Sequence, residues 1–325
     1  MTARDHARPL LSVVVPCHNE EAMLPQFFRE VIPALQALDA DWEMLCVDDG
    51  SRDATLQRLL EQARGEPRLQ VIKLSRNFGK EAAMSAGLDL SAGQVAVVLD
   101  ADLQDPPELI APMLAKWREG FDVVYAVRRS RDDDSLARRI GAHAFYRVFN
   151  RLTTEAERIP ADTGDFRLLD RRVVERLREL PERTRFMKGL FAWLGFSSAA
   201  IPYDRPPRAR GHSAWSYWKL WNFALDGLTS FSTMPLRVWT YVGLSVSLLS
   251  FVYATFLVLR TLIHGVDLPG YASLMVVILF LGGIQLISLG VIGEYLGRVF
   301  VEVKQRPLYL VEQVYQFSTP DNARP

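Results

Sequence analysis

The order of apolar runs in this chain predicts a doubly wound α/β domain followed by two membrane-spanning helices. Five short runs rich in Val, Leu and Ile alternate with stretches of helical periodicity between Leu11 and Val127. That alternation is the pattern of parallel strands buried on both faces and joined by right-handed helical crossovers. Polar and acidic clusters follow the first four runs, and open sheets of this kind bind ligands beyond the carboxyl ends of their strands. Much later, Val238–Leu259 and Ala272–Ile292 carry no charge; about 20 such residues suffice to cross a hydrocarbon core of about 30 Å.

Leu11–Val15 reads as the first strand, stopped by Pro16 and followed by Cys17-His18-Asn19-Glu20-Glu21. Leu24, Phe27, Phe28, Val31, Leu35 and Leu38 then recur at helical spacing. Glu43–Val47 is the second strand. It runs into Asp48-Asp49-Gly50-Ser51-Arg52-Asp53, a turn whose Ser51 or Asp53 can cap a helix ending near Ala63. Leu69–Leu74 is the third strand, and Ser75-Arg76-Asn77-Phe78-Gly79-Lys80 leads into a helix through Leu90. Val95–Leu99 is the fourth, Pro107–Glu119 the next helix, and Val123–Val127 the fifth strand.

The pattern then turns basic and helical over Ser130–Leu152. Asp162-Thr163-Gly164-Asp165-Phe166-Arg167-Leu168-Leu169-Asp170 is a turn entering a short strand, Arg171–Leu180 a short helix, and Phe191–Phe196 an aromatic segment. Trp215, Trp218, Trp221, Leu225 and Leu228 recur every three or four residues, so Ser213–Ser232 is expected as an amphipathic helix in the membrane interface. The tail holds one strand-like run, Leu308–Val314. The divisions expected are therefore 1–203, an interfacial segment 204–236, a membrane hairpin 237–298 and a tail 299–325.

Charge sets the orientation. Arg205, Arg208, Arg210, Lys219 and Arg237 precede the first span, and Arg298, Lys304 and Arg306 follow the second. The connector has Arg260 as its fixed positive charge, so both ends are expected in the cytosol. The apolar run near the N-terminus, Leu10–Val15, is too short for a secretory signal. Lys plus Arg and Asp plus Glu each total 38 in 325 residues, so no overall field directs the chain to nucleic acid. Cys17 and Cys46 are the only cysteines and read as small core residues in a reducing compartment.

The chemistry concentrates at Leu99-Asp100-Ala101-Asp102-Leu103-Gln104-Asp105-Pro106-Pro107-Glu108. Carboxylates crowded at the end of a buried strand repel one another unless a cation sits among them. Mg²⁺ is held in this way by one or two carboxylates plus substrate phosphates; an acidic turn capping the next helix is the alternative. No G-x-G-x-x-G follows the first strand and no G-x-x-x-x-G-K-[ST] occurs, which disfavours a dinucleotide oxidoreductase and a P-loop NTPase.

Taken in order, Val14-Val15-Pro16-Cys17-His18-Asn19-Glu20-Glu21, Val47-Asp48-Asp49-Gly50-Ser51, Arg76-Asn77-Phe78-Gly79-Lys80, the Asp100–Glu108 run and Thr163-Gly164-Asp165-Phe166-Arg167 resemble family 2 glycosyltransferases of the GT-A fold. Within them the chain resembles the polyprenyl-phosphate branch, dolichyl-phosphate mannose synthases and above all bactoprenol glucosyltransferases, through Phe186-Met187-Lys188-Gly189-Leu190-Phe191. The Q-x-x-R-W motif of processive synthases is missing.

The resemblance implies a metal-dependent, inverting hexosyltransferase of the bacterial cytoplasmic membrane. Its donor would be a nucleotide sugar, UDP-glucose first, with GDP-mannose or a UDP-aminoarabinose derivative as alternatives. Its acceptor would be polyprenyl (undecaprenyl) phosphate. Pro16, Asn19, Glu20, Asp48, Asp49, Arg76, Lys80, Asp100 and Ala101 are implied for the donor, with Asp49 suited to a base N–H and Asp48 or Asp100 to a ribose hydroxyl. Asp100, Asp102 and Gln104 are implied for Mg²⁺ or Mn²⁺, and Asp102 and Asp165 for catalysis, Asp165 as a base or an orienting group. Arg128, Arg129, Arg138, Arg210, Ser213 and Lys219 are implied for the acceptor phosphate, to which Arg is suited by its bidentate geometry. A homo-oligomer and a separate flippase are the further partners implied. Outside catalysis, the alternative is a membrane scaffold that only binds nucleotide, against which the intact Asp100 and Asp102 count.

Overall fold

A computed structural model describes residues 8–129, 147, 163–183, 185–204, 234–264 and 270–317. The expected interfacial helix, Arg138, Arg210, Ser213 and Lys219 lie outside the described residues. The chain divides into two compact units, one of residues 1–224 together with 307–325, the other of residues 225–306.

In the first unit, β1 (Leu10–Cys17), β2 (Asp41–Asp48), β3 (Leu69–Leu74) and β4 (Val95–Val98) are the expected parallel strands, ordered β4-β1-β2-β3. Their apolar side chains are almost wholly buried, as runs covered on both faces must be. Pro16 does not end β1: it pairs in register with Val47, and the strand continues to Cys17. The backbone explains why. Val14 faces β4, its carbonyl accepting from Leu99 N–H, and Pro16, two residues on, faces the same side after the ladder to β4 has ended at Val14–Val98. No ladder hydrogen bond is lost.

Helices α1 (Leu24–Gln36), α2 (Thr55–Gly65), α3 (Lys80–Leu90) and α4 (Ile110–Arg118) connect these strands and the next. The short helical turn Pro107–Leu109 precedes α4. In α3 nearly every residue from Ala82 to Leu88 is buried, and most are small. A Cβ on Gly87 would stand 2.3 Å from Val14 Cγ1, so glycine lets this helix lie directly on the sheet. Arginines close its far end: Arg178 donates to the carbonyls of Leu88 and Ser91, and Arg171 to that of Gly93. Cations there complement the negative end of the helix.

Beyond β4 the sheet departs from the all-parallel expectation. β6 (Thr163–Asp170) inserts antiparallel between β4 and β5 (Val123–Arg128), and β7 (Ser198–Tyr203) adds parallel to β5. Helices α5 (Arg171–Glu179) and α6 (Met187–Trp193) lie between β6 and β7 in sequence. The strand-like run expected in the tail, Leu308–Val314, supplies an eighth strand, β8 (Val311–Gln316), antiparallel to β3. The full order is β7-β5-β6-β4-β1-β2-β3-β8. Cys17 and Cys46 are free and buried, as expected of core residues.

The second unit contains α7 (Met234–His264) and α8 (Tyr271–Val303). Among the described residues, one helical stretch is long and apolar enough to cross a membrane, Val276–Val303 within α8. Its apolar side chains are largely exposed. Of the two expected spans the first is represented only by a shorter apolar stretch, Val238–Tyr253.

Candidate active site

The insertion of β6 creates the centre of the site. Val98 of β4 pairs with Arg167 of β6. Continuing that antiparallel register two residues along each strand sets Asp100 beside Asp165. Two carboxylates so placed need a cation, and Lys80, the first residue of α3, provides it. Its Nζ lies 2.7 Å from Asp100 Oδ2 and 2.7 Å from Asp165 Oδ2. Lys188 of α6 approaches Asp165 Oδ1 from the other side at 3.9 Å. Arg167 is buried, its guanidinium 4.2 Å over the Phe191 ring, and adds positive charge near Asp165.

These charges set the protonation states. Burial works to raise the Asp165 pKa, but Lys80 and then Lys188 outweigh it and hold the carboxyl well below the usual carboxylate range. Glu81 goes the other way. Its Oε2 is buried with no hydrogen-bond partner among the described residues, and burial followed by the charge of Asp165 pushes its pKa up to about 8.

The folded chain therefore keeps a proton on Glu81 that the unfolded chain has already released. Stability linked to this group is present at low pH and falls as pH rises from the ordinary carboxylate value towards about 8. Glu81→Gln is expected to raise the melting temperature by about 2–4 °C near pH 8.5 and by less than about 1 °C near pH 5, followed by tryptophan fluorescence. Equal shifts at both pH values would exclude the linkage.

The acidic turn itself is bent at Leu103, which takes φ of 55° although it is not glycine. Such a conformation is held at a cost by its surroundings, and Leu103 is buried. Asp102 Oδ1 accepts the Gln104 N–H at 3.2 Å across this bend. Tyr203 at the end of β7 donates to Asp105 Oδ1 at 2.8 Å, and its hydroxyl also bonds to Arg128. Burial, then Asp105, pushes the Tyr203 pKa up to about 12, so it remains a donor. Arg128 is thereby tied to the acidic turn, whereas Arg129 is exposed and pairs with Asp204 at 3.2 Å.

Among the described residues no three acidic, histidine or cysteine groups converge as a metal cage. Asp100, Asp102 and Gln104 offer hard oxygen donors, and one Asp100 oxygen is engaged by Lys80. This set fits a divalent cation whose remaining ligands come from phosphate and water, the usual arrangement for Mg²⁺.

A cavity of about 580 Å³ opens at the carboxyl ends of β1, β2 and β3. Of the expected donor residues, Asn19, Asp48 and Arg76 line it. Asp48 is buried, and desolvation raises its pKa despite the Ser51 hydrogen bonds. Asp49, expected to face the base, does not line the cavity. It is buried, with Oδ1 accepting from Phe78 N–H at 2.7 Å and Oδ2 from Gly79 N–H at 2.9 Å. It fixes the loop that delivers Lys80. Gly50 permits the same junction: at φ of 61°, a Cβ there would stand 2.5 Å from the backbone of Arg76 and of Asn77.

Asn19 Oδ1 accepts from Arg52 N–H at 2.9 Å and Glu20 N–H donates to Thr55 Oγ1 at 2.7 Å, joining the first two loops. Pro16 remains in the β1 ladder and Ala101 is buried. Glu81 and Lys188 are site residues that the sequence did not single out. The available signal was Glu81 directly following Lys80 at the start of a helix.

Residues 12–178 match the family model for glycosyl transferase family 2, and residues 234–299 that of the GtrB C-terminal hairpin. An uncharacterized glycosyltransferase of Synechocystis sp. is 56% identical over 94% of this chain and 95% of its own. The SfII prophage-derived bactoprenol glucosyl transferase of Shigella flexneri is 44% identical over 94% of this chain and 98% of its own. The prophage bactoprenol glucosyl transferase homolog of Escherichia coli K12 is 43% identical, over 94% and 99%.

Proposed function

The chain belongs to glycosyl transferase family 2, and from that premise we propose that it transfers glucose from UDP-glucose to a polyprenyl phosphate at the cytosolic face of a membrane. The observation that carries this reading is the 44% identity, over 94% of this chain and 98% of the relative, to a bactoprenol glucosyl transferase. The sheet has the GT-A, Rossmann-like arrangement of the family, and the acidic turn at the end of β4 supports the reading.

Asp102 and Gln104, with Asp100, would hold Mg²⁺ or Mn²⁺, which when bound supplies Lewis-acid and template chemistry to the departing diphosphate. The chain's own residues do the rest. Lys80 and Arg76 present positive charge to the diphosphate. Lys188 and Asp165 shape the sugar side of the pocket. Arg128, drawn to the acidic turn by Tyr203, meets the acceptor phosphate with Arg129, Arg138, Arg210, Ser213 and Lys219.

A phosphate oxygen of the lipid attacks the anomeric carbon, the bond from that carbon to the β-phosphate oxygen breaks, and the configuration inverts. The acceptor needs no strong base, because a phosphate monoester with a second pKa near about 6 is already ionised at pH 7. In this reading α7 and α8 both cross the bilayer with their basic ends in the cytosol, the chain assembles as a homo-oligomer, and a separate flippase moves the product.

The test is incorporation of radiolabel into the lipid fraction when the purified chain receives undecaprenyl phosphate and labelled UDP-glucose, GDP-mannose or a UDP-aminoarabinose derivative in turn. Label from UDP-glucose, lost on chelation and restored by Mg²⁺ or Mn²⁺, is expected. No label in lipid from any donor overturns the reading.

A further inference from the structure

β8 is separated from the rest of the sheet in sequence by both long helices, yet its pairing with β3 runs from Gln70–Gln316 to Leu74–Val311. Ser75 N–H donates to the Leu310 carbonyl at 3.0 Å, and Tyr309 donates to Asp89 Oδ2 at 2.7 Å. Tyr315 and Phe317 pack on the main core. β8 is the edge strand of the sheet, paired with β3 and tied down at the Tyr309–Leu310 end and through Tyr315 and Phe317.

Glu312 of this strand lines the 580 Å³ cavity beside Asn19, Asp48 and Arg76. Lys73 Nζ donates to its Oε1 at 2.8 Å, with the glutamate side chain 47% exposed and the lysine 29%. The pair is thus held at the wall and open to a ligand.

The cavity belongs to β1, β2 and β3, and neither Lys80, Asp100, Asp102 nor Asp165 lines it. If those four residues handle the diphosphate and sugar, as proposed above, the nucleoside end occupies the cavity. A volume of this size suits it. A carboxylate there repels phosphate but accepts hydrogen bonds from base N–H groups. Lys73 cancels its charge and adds a donor, so the pair presents a donor beside an acceptor. A nucleobase edge carries the complementary alternation, whereas ribose hydroxyls do not demand it.

We infer that Glu312, positioned by Lys73, is a specificity-determining residue that reads the base edge of the donor nucleotide. The wall of the donor pocket is then completed by chain that follows the membrane hairpin. The inference rests on the donor-binding reading above.

Its test is the affinity of the full-length chain in detergent for UDP and for GDP, measured by calorimetry. Glu312→Ala is expected to weaken UDP binding about tenfold and to change the UDP-to-GDP affinity ratio at least about fivefold, because a charged hydrogen bond to one base edge is lost. The KM for lipid phosphate should stay within about twofold, as lipid phosphate is outside this cavity. Glu312→Gln keeps the shape and an acceptor for Lys73, and is expected to shift the ratio even if the alanine variant folds poorly. Lys73→Met, which leaves the carboxylate, should weaken UDP binding with a smaller change in ratio. A ratio unchanged in both Glu312 variants overturns the inference. A parent chain that binds neither nucleotide overturns the donor-binding reading itself, which is a separate outcome.

Discussion

Asp102→Asn is expected to lower transfer about 10²–10³-fold and to raise the Mg²⁺ or Mn²⁺ concentration needed for half-maximal rate. Stabilisation of a leaving diphosphate by a bound cation is worth several kcal/mol, and each 1.36 kcal/mol is about a tenfold change in rate. The three oxygen donors at this turn are not equivalent. Asp100 already shares an oxygen with Lys80 at 2.7 Å. Gln104 is neutral. Asp102 is the other charged donor of the three, and the amide that replaces it keeps the shape while removing that charge.

The bend at Leu103 should survive, since the amide oxygen can still accept the Gln104 N–H. Initial rates across a metal titration give the answer. A variant with reduced rate but an unchanged metal requirement would take Asp102 out of the ligand set. Asp100→Asn serves as the contrast: it also removes a partner of Lys80, so its losses should include weaker donor binding.

The first four strands and the acids after them were legible because buried strands are continuous apolar runs and their ends are abrupt. What the sequence could not disclose was pairing between distant segments. Asp162–Asp170 reads as a turn entering a short strand, and only the antiparallel insertion of that strand beside β4 brings Asp165 to Asp100. With that contact unseen, Lys80 reads only as one member of the donor set, not as the cation between two carboxylates. β7 was hidden because Ser198-Ala199-Ala200 has little β preference and is largely exposed. Leu308–Val314 reads as a strand, but nothing local points to β3 as its partner or to Glu312 as part of the cavity wall.

Asp49 shows a second use of such an acid. An acid after a strand suggested a ligand, while the structure uses it to hold two backbone N–H groups in the next loop. Acids of both kinds occupy adjacent positions in Asp48-Asp49, and composition alone does not separate them.

Asp165→Asn is expected to lower transfer about 10²–10³-fold, the range seen when one preorganised electrostatic group is removed, without changing the pH at which activity appears. A general base works best with a pKa near the working pH. Asp165 is far from that condition: burial would raise its pKa, but Lys80 and Lys188 more than compensate. A carboxylate held so firmly ionised accepts a proton poorly. Its capacity is to fix cations, and it fixes two of them from α3 and α6 beside the acidic turn.

Among the described residues the asparagine variant leaves Lys80 paired with the Asp100 carboxylate, so the ammonium proposed to meet the diphosphate is held less firmly. In the proposed reaction the ionisation that governs the acid limb of the rate belongs to the acceptor phosphate, at about pH 6, and is common to parent and variant. Profiles of kcat/KM against pH should be parallel, displaced downward by the same factor throughout. Loss of the acid limb in the variant alone would make Asp165 the base. A Lys80→Met, Asp165→Asn double variant adds an independent check, because two residues acting through one ion pair lose less together than the sum of their separate losses.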